Sequence, residues 1–173
     1  MTKDQLQDII VNIPDFPIKG IQFKDINPIL TNPEAFQSII DIFAKFISEQ
    51  KATAIVAPEA RGFIFGAGVA YKLGIKLVLA RKKGKLPGKT YEVEYDLEYG
   101  STILQIHQNA LTKNDKVVII DDLIATAGTI NACIELTKKT QAQVVGIASL
   151  ISLSEFENKH HFNNVPLLEI LKF

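Results

Sequence analysis

Four apolar, β-branched residues, Val117-Val118-Ile119-Ile120, run straight into two adjacent carboxylates, Asp121 and Asp122, and this junction constrains the fold more than any other stretch. The apolar run reads as a buried strand. The acidic pair ends it, and Leu123-Ile124-Ala125-Thr126-Ala127-Gly128-Thr129 follows as a short, hydroxyl-bearing loop. Ile130, Cys133, Ile134 and Leu136 then recur at helical spacing. A helix N-terminus carries unpaired N–H donors and the positive dipole end, so a phosphate can settle there. Thr126 and Thr129 add hydroxyl donors to it. Asp121 and Asp122 repel a phosphate and serve instead a neighbouring polyol, a base proton or a magnesium ion. A sugar phosphate satisfies both halves of such a site. An ordinary solvated turn uses Asp and Thr as caps, but the whole block in this order favours the sugar phosphate. It is not a Walker A loop, which ends in Gly-Lys-Ser/Thr. The dinucleotide-binding glycine fingerprint is not matched either.

Around this block, helical and strand patterns alternate. Residues 3–11 read as a short helix with Leu6, Ile9 and Ile10 on one side. Residues 12–32 carry Pro14, Pro17, Gly20 and Pro28 and read as an ordered, loop-rich segment. Asn32 is placed to cap a helix, with Pro33 at its first position and Glu34 near its positive end. Phe36, Ile39, Ile40, Phe43, Phe46 and Ile47 give that helix one apolar face. Residues 54–57 read as a buried strand stopped by Pro58, residues 62–73 as a helix closed by Gly74, and residues 75–80 as a strand. Strands alternating with helices imply an α/β fold, a mainly parallel central sheet flanked by helices on both faces. Ligands in such sheets bind beyond the carboxyl ends of the strands. The ends at 58–62, 81–85 and 121–129 all carry polar or charged chemistry, so they are expected to surround one site.

Composition narrows the function classes. A chain of 173 residues is expected to form one domain, 1–173, with a substantial core. The formal net charge of zero argues against a dedicated nucleic-acid binder. No apolar run approaches the roughly 18 residues that cross a bilayer, and the N-terminal residues lack a signal-peptide layout. One cysteine, Cys133, excludes an internal disulfide and fits a reducing cytoplasm. Its place in the helical run reads as a small buried residue.

Two basic stretches remain. Arg61 precedes Gly62 at a strand-to-helix corner, where a pyrophosphate would gain N–H groups and a guanidinium, each charge-assisted bond contributing roughly 1.5–3 kcal/mol. Arg81, Lys82, Lys83, Lys85 and Lys89, interrupted by Gly84, Pro87 and Gly88, read as a mobile loop able to close over a polyanion. Glu92, Glu94, Asp96 and Glu98 then alternate with Tyr91, Val93, Tyr95, Leu97 and Tyr99, the period of a half-buried strand. On that pattern alone Glu98 is one more outward carboxylate.

Read together, the blocks resemble those of the adenine phosphoribosyltransferases, within the type I phosphoribosyltransferase family, along nearly the whole chain. The Asp121–Thr129 block resembles that family's signature for phosphoribosyl pyrophosphate (PRPP). Residues 14–26 are similar to its N-terminal base-binding segment, and Glu59-Ala60-Arg61-Gly62-Phe63 to its pyrophosphate corner. Arg81-Lys82-Lys83-Gly84-Lys85-Leu86-Pro87-Gly88 resembles its flexible loop, and Leu97-Glu98-Tyr99-Gly100 the block with its catalytic glutamate. The resemblance implies a type I phosphoribosyltransferase fold with an N-terminal base-binding hood, about residues 1–32, and a flexible loop that includes Tyr99. It implies the reaction adenine + PRPP ⇌ AMP + pyrophosphate, with magnesium riding on PRPP rather than held directly by protein.

Carried over by position, Asp121 and Asp122 hold the ribose hydroxyls, and Ala125, Thr126, Ala127, Gly128 and Thr129 the 5′-phosphate. Glu59, Ala60, Arg61, Arg81, Lys82 and Lys85 serve the pyrophosphate; Gln22, Phe23 and Lys24 bind adenine; Glu98 exchanges a proton with the purine. The same analogy implies a cytoplasmic homodimer acting in purine salvage, without nucleic-acid or membrane partners. A phosphoribosyltransferase for xanthine, hypoxanthine or orotate, or a non-catalytic PRPP or nucleotide sensor, are the alternatives. Two positions depart from the family pattern. Ala127 stands where a glycine is common in the family, a Thr-Ala-Gly-Thr form that orotate-type relatives resemble, and would cost about 1–2 kcal/mol if its backbone were left-handed. Lys24 stands where arginine is frequent and cannot reproduce a planar bidentate contact.

Overall fold

The computed structural model describes residues 1–96, 101–160, 162 and 164–173. They form two compact units, Met1–Ile42 and Phe43–Phe173. The first opens with α1 (Lys3–Ile9), whose capping box is complete: Gln5 N–H donates to Thr2 Oγ1 at 3.3 Å, and Thr2 N–H donates to Gln5 Oε1 at 2.9 Å. Leu6 and Ile10 are buried, as their spacing implied. Next, β1 (Val11–Pro14) pairs antiparallel with β2 (Gln22–Asp25), Val11 opposite Asp25 and Pro14 opposite Gln22. This hairpin corrects the loop-rich reading of residues 12–32. Its strands have four residues each, and β1 is exposed along its length and ends in a proline, so no periodicity marks it. A short α2 (Asn27–Leu30) precedes α3 (Pro33–Glu49). Asn32 caps α3 as expected, its Oδ1 accepting from Ala35 N–H at 3.1 Å.

The second unit is built on a seven-stranded sheet. Its elements are β3 (Ala54–Pro58), α4 (Gly62–Leu73), β4 (Lys76–Lys82), β5 (Thr90–Asp96), β6 (Ser101–His107), β7 (Lys116–Ile124), α5 (Gly128–Lys139), β8 (Gln143–Ser152) and β9 (Leu167–Lys172). The strand order is β5-β6-β4-β3-β7-β8-β9. From β4 to β9 along that order neighbours are parallel, while β6 runs antiparallel to both β4 and β5. Alternation along β3 sorts the core. Ala54 and Val56 join Val117 and Ile119 in a cluster with Ile130, Cys133 and Leu136 of α5. Ala57 and Ile55 meet α4 on the other face, where a Cβ on Gly66 would lie 2.9 Å from Ala57 Cβ. Helices therefore cover both faces, as the alternating pattern implied.

Two boundaries differ from the sequence reading, and both move chemistry onto strands. β4 continues through Arg81 and Lys82, which stand opposite Gln105 and Leu104 of β6. β7 continues through the acidic pair to Ile124, with Asp121 opposite Ser149 and Ile124 opposite Ser152 of β8. In each case a partner distant in sequence supplies ladder bonds that local composition does not reveal.

At the opposite, N-terminal edge of the strands, Asp115 fastens three of them. Its carboxylate accepts from Lys76 Nζ at 2.8 Å, Thr53 Oγ1 at 3.0 Å and the Thr112 N–H at 2.8 Å. Burial pushes this carboxyl up, but the bonds from Lys76, Thr112 and Thr53 outweigh it and bring the pKa from 3.8 down to about 2. A depressed folded value stabilises the fold above the unfolded value and is lost as pH falls through the folded one. Asp115→Asn is thus expected to lower stability at neutral pH by on the order of 1–2 kcal/mol. Urea titrations should show the gap to the parent protein closing between the ordinary carboxylate pKa and about 2.

Candidate active site

The chain moves from β3 to β4 in one direction along the sheet, and from β7 through β8 to β9 in the other. The order therefore reverses between β3 and β7, and a crevice opens beyond their carboxyl ends. Gly62 starts α4 at that point because a side chain would not fit. A Cβ there would lie 3.0 Å from the Ile120 carbonyl oxygen, 3.1 Å from Asp121 Oδ1 and 3.1 Å from Pro58 Cδ. Two of those neighbours are backbone or proline ring, which cannot turn aside.

Across the crevice, Arg61 Nε lies 3.0 Å from Asp122 Oδ2. Their separation is that of an ion pair, without hydrogen-bond alignment at Oδ2. The corner residue Glu59 meets β4: its Oε1 accepts from the Lys82 N–H, and Oε2 lies 3.4 Å from Arg81 Nη2. The Arg81 guanidinium carbon sits 6.0 Å from the centre of the Phe63 ring. Its Nε is buried without a hydrogen-bond partner among the described residues. Glu59, Arg61, Arg81, Asp121 and Asp122 thus form a single cluster drawn from three strand ends. The Glu59–Ala60 peptide is cis.

Both aspartates are buried, at 9% and 4% exposure, which the sequence reading as strand-end carboxylates did not anticipate. Burial, then the charge of Asp122, raises the Asp121 pKa well above the usual carboxylate range, with Arg61 pulling it back only in part. Burial likewise raises Asp122, against the opposing pull of Arg61. Two adjacent buried carboxylates resist ionising together. They suit a ligand that brings hydroxyl donors into the crevice.

Beyond β7 the chain turns through Ala125 and Thr126 into α5. Ala127 stands at the N-cap with φ 67° and ψ 0°, the left-handed conformation in which alanine was expected to cost stability. Having no polar side chain, it caps none of the first-turn N–H groups, which stay available to an anion. Ala127→Gly is expected to raise stability by up to about 1 kcal/mol, since glycine takes this conformation without strain but adds entropy to the unfolded chain. Thermal melts check this, and a lower Tm would show that the alanine is unstrained.

Thr129 is held by a residue the sequence reading placed only on a strand face. Its Oγ1 donates to the Tyr95 hydroxyl at 3.4 Å, and burial pushes that phenol up. The inward position of Tyr95 was legible from alternation; its proximity to α5 depends on how β5 packs. A second unanticipated contact comes from His160, whose Nε2 lies 2.8 Å from the Ala125 carbonyl oxygen.

Of the remaining expected site residues, Lys82 joins the cluster only through its N–H on Glu59. Lys82 and Lys85 are exposed at and after the end of β4, and the turn is tied back through Gly84 N–H, which donates to Gln105 Oε1 at 3.2 Å. Gln22, Phe23 and Lys24 stand together on β2 of the first unit. Asn12 Nδ2 donates to Gln22 Oε1 at 2.6 Å, Lys24 Nζ donates to Asn12 Oδ1 at 3.1 Å, and the Phe23 and Phe16 rings meet edge-on at 5.2 Å. Glu98 and Tyr99 lie outside the described residues. Among the described residues, no group of three or more His, Cys, Asp or Glu side chains could hold a metal ion. No helix is long and apolar enough to cross a membrane.

Comparison with known proteins agrees with this geometry. The model of the phosphoribosyl transferase domain family matches residues 25–170. The adenine phosphoribosyltransferase of Thermotoga maritima is 51% identical over 173 residues, covering 100% of both chains. The crystal structure of adenine phosphoribosyltransferase from Thermoanaerobacter pseudethanolicus superposes with a TM-score of 0.95 at 43% identity, covering 99% of this chain and 100% of that one. The Saccharomyces cerevisiae enzyme, solved with an imino-altritol bisphosphate and adenine, gives a TM-score of 0.92 at 36% identity over 98% of each chain. Full-length identity, a matching family model and a shared fold agree, and this chain belongs to the adenine phosphoribosyltransferases of the phosphoribosyl transferase domain family.

Proposed function

We propose that the protein transfers the 5-phosphoribosyl group from PRPP to adenine, giving AMP and pyrophosphate, as a step of purine salvage. The observation that carries this reading is the Arg61–Asp122 contact, which joins a pyrophosphate-type corner to a ribose-type acidic pair beside the free N–H groups of α5. PRPP presents a 5′-phosphate, two ring hydroxyls and a pyrophosphate in that sequence. The first-turn N–H groups and the Thr126 and Thr129 hydroxyls hold the 5′-phosphate. Asp121 and Asp122 accept from the ribose hydroxyls. Arg61, Arg81, Lys82 and Lys85, with the Glu59–Ala60 backbone, take the pyrophosphate, and Glu59 orients Arg81.

Chemically, the bond between ribose C1 and the pyrophosphate oxygen breaks, and its electron pair leaves with pyrophosphate. A ring nitrogen of adenine forms the new bond to C1, and its proton passes to Glu98. Charge builds on the leaving group and on the oxocarbenium-like sugar, so the protein acts chiefly by positioning and electrostatic stabilisation. Arg61 and Arg81 face the leaving-group charge; the buried acidic pair faces the sugar. Magnesium enters as part of the PRPP substrate. Gln22, Phe23 and Lys24 read adenine, and residues 1–32 are the hood of one phosphoribosyltransferase domain spanning 1–173. The reading extends by family likeness to a cytoplasmic homodimer without nucleic-acid partners.

The test is a panel of bases. Each of adenine, hypoxanthine, xanthine, guanine and orotate is supplied with PRPP and magnesium, and nucleotide and pyrophosphate are followed together. Adenine should give both products in equal amounts and far faster than the others. Preference for another base would reassign the substrate, and no product with any base would favour a PRPP sensor.

A further inference from the structure

We propose that His160 is a positioning residue for the 5′-phosphate loop, holding the Ala125–Thr126 peptide so that its N–H is turned toward the ligand. The inference rests on the reading of Ala125 to Thr129 as a phosphate loop and adds a residue from outside it.

His160 follows a short 3-10 turn, Ser154–Lys159, after β8. Its side chain is 3% exposed, although the turn itself lies at the surface. Nε2 lies 2.8 Å from the Ala125 carbonyl oxygen. A carbonyl oxygen only accepts, so this nitrogen carries a proton and donates it. Nδ1 lies 3.3 Å from Glu169 Oε1 on β9, and Glu169 Oε2 in turn lies 3.2 Å from Lys172 Nζ. The ring also stacks on Phe162, centres 6.1 Å apart and planes inclined by 22°. His160 is therefore fixed on one edge by a carboxylate and on one face by an aromatic ring, while its other edge reaches the loop. This arrangement sets the direction of a donor rather than filling space.

The consequence for the loop follows from peptide geometry. In a trans peptide the C=O and the N–H point in opposite directions. With the Ala125 carbonyl drawn onto His160, the Thr126 N–H points away from His160. Two residues on, Ala127 is held in a left-handed conformation that starts α5. A loop that carries backbone strain and has to present several N–H groups to one anion gains from an anchor at its entry. The Leu153 N–H donates to the Ile124 carbonyl at 3.1 Å, so the strand end just before the loop is held as well. Tyr95 meets Thr129 at the far end.

Asparagine and glutamine at position 160 separate positioning from packing. The glutamine Nε2 is as many bonds from Cα as the histidine Nε2 and can reach the Ala125 carbonyl. The asparagine nitrogen matches Nδ1 and falls short. His160→Asn should raise the KM for PRPP about 10-fold, with kcat and the KM for adenine within about twofold, since a lost buried hydrogen bond disturbs one ligand group only. His160→Gln should restore the KM for PRPP to within about twofold of the parent. Calorimetry with ribose 5-phosphate reads the same loop without adenine or pyrophosphate, so it reports on His160 even in a chain that makes no AMP. There too the asparagine variant should bind more weakly than the glutamine one. Equal behaviour of the two variants in both assays would overturn the proposal. So would a fall in Tm common to both with PRPP and ribose 5-phosphate binding unchanged, which is what a purely structural histidine would give.

Discussion

The double variant Asp121→Asn with Asp122→Asn is expected to lose at least about 10²-fold in kcat/KM for PRPP and yet be no less stable at pH 7 than the parent. The two effects share one cause. On the proposed placement each carboxylate accepts from a ribose hydroxyl, and a hydrogen bond to a charged group contributes roughly 1.5–3 kcal/mol. Losing two such bonds corresponds to about 10²–10⁴-fold. The same carboxylates burden the empty fold, because both are buried and their pKa values are raised, chiefly by that burial.

For a carboxyl with a raised folded pKa, the unfolded chain releases its proton first as pH rises. Stability then falls from the unfolded value up through the folded one. Asparagine removes that loss, keeps an oxygen to accept from the Asp122 N–H, which now donates to Asp121 Oδ1 at 2.8 Å, and leaves Arg61 partly solvated at 38% exposure. The stability gain should therefore appear at neutral pH and vanish below the ordinary carboxylate value of 3.8. Steady-state kinetics with PRPP and thermal melts across pH give both readings. PRPP kinetics at the parent level would remove the ribose assignment.

Glu98→Gln is expected to slow turnover by about 10²–10⁴-fold, or roughly 3–5 kcal/mol of barrier, while PRPP binding changes little. Glutamine keeps the shape and the hydrogen-bonding capacity but cannot take a proton from adenine. Neighbouring carboxylates supply the controls. Glu92 accepts from Gln105 Nε2 at 2.6 Å and pairs with Lys83 at 3.2 Å, and its pKa is lowered first by the Gln105 bond. Glu94 accepts from Ser101 Oγ at 2.7 Å. Both are exposed and occupied by partners on their own sheet, so Glu92→Gln and Glu94→Gln should leave the rate nearly unchanged. Wild-type turnover in Glu98→Gln would leave positioning and the basic groups to explain catalysis.

What could be read from sequence was set by local constraints. Gly62 and Gly74 bracket α4 at the expected residues because one position has no room for a side chain and the other has a left-handed φ of 65°. The acidic pair and its loop were legible because strand, carboxylates and helix start are contiguous. What escaped notice depends on partners far along the chain. β4 gains Arg81 and Lys82 from pairing with β6, and the burial of Asp121 and Asp122 follows from β7 continuing beside β8. His160 meets Ala125 across 35 positions, and Tyr95 meets Thr129 across 34. No spacing rule connects such residues. Ala127 was the exception: the family's glycine at this place raised the question of a left-handed backbone, and φ 67° answers it.

The proposed function comes down to one placement: 5′-phosphate on the loop that opens α5, ribose on the buried acidic pair. A crystal structure of the protein with AMP tests it most directly. Phosphate oxygens are expected about 2.7–3.2 Å from N–H groups or hydroxyls of residues 125–129, and the ribose hydroxyls within the same range of Asp121 and Asp122 carboxylate oxygens. AMP bound with its phosphate on the turn between β4 and β5, or with its ribose away from both aspartates, would contradict it.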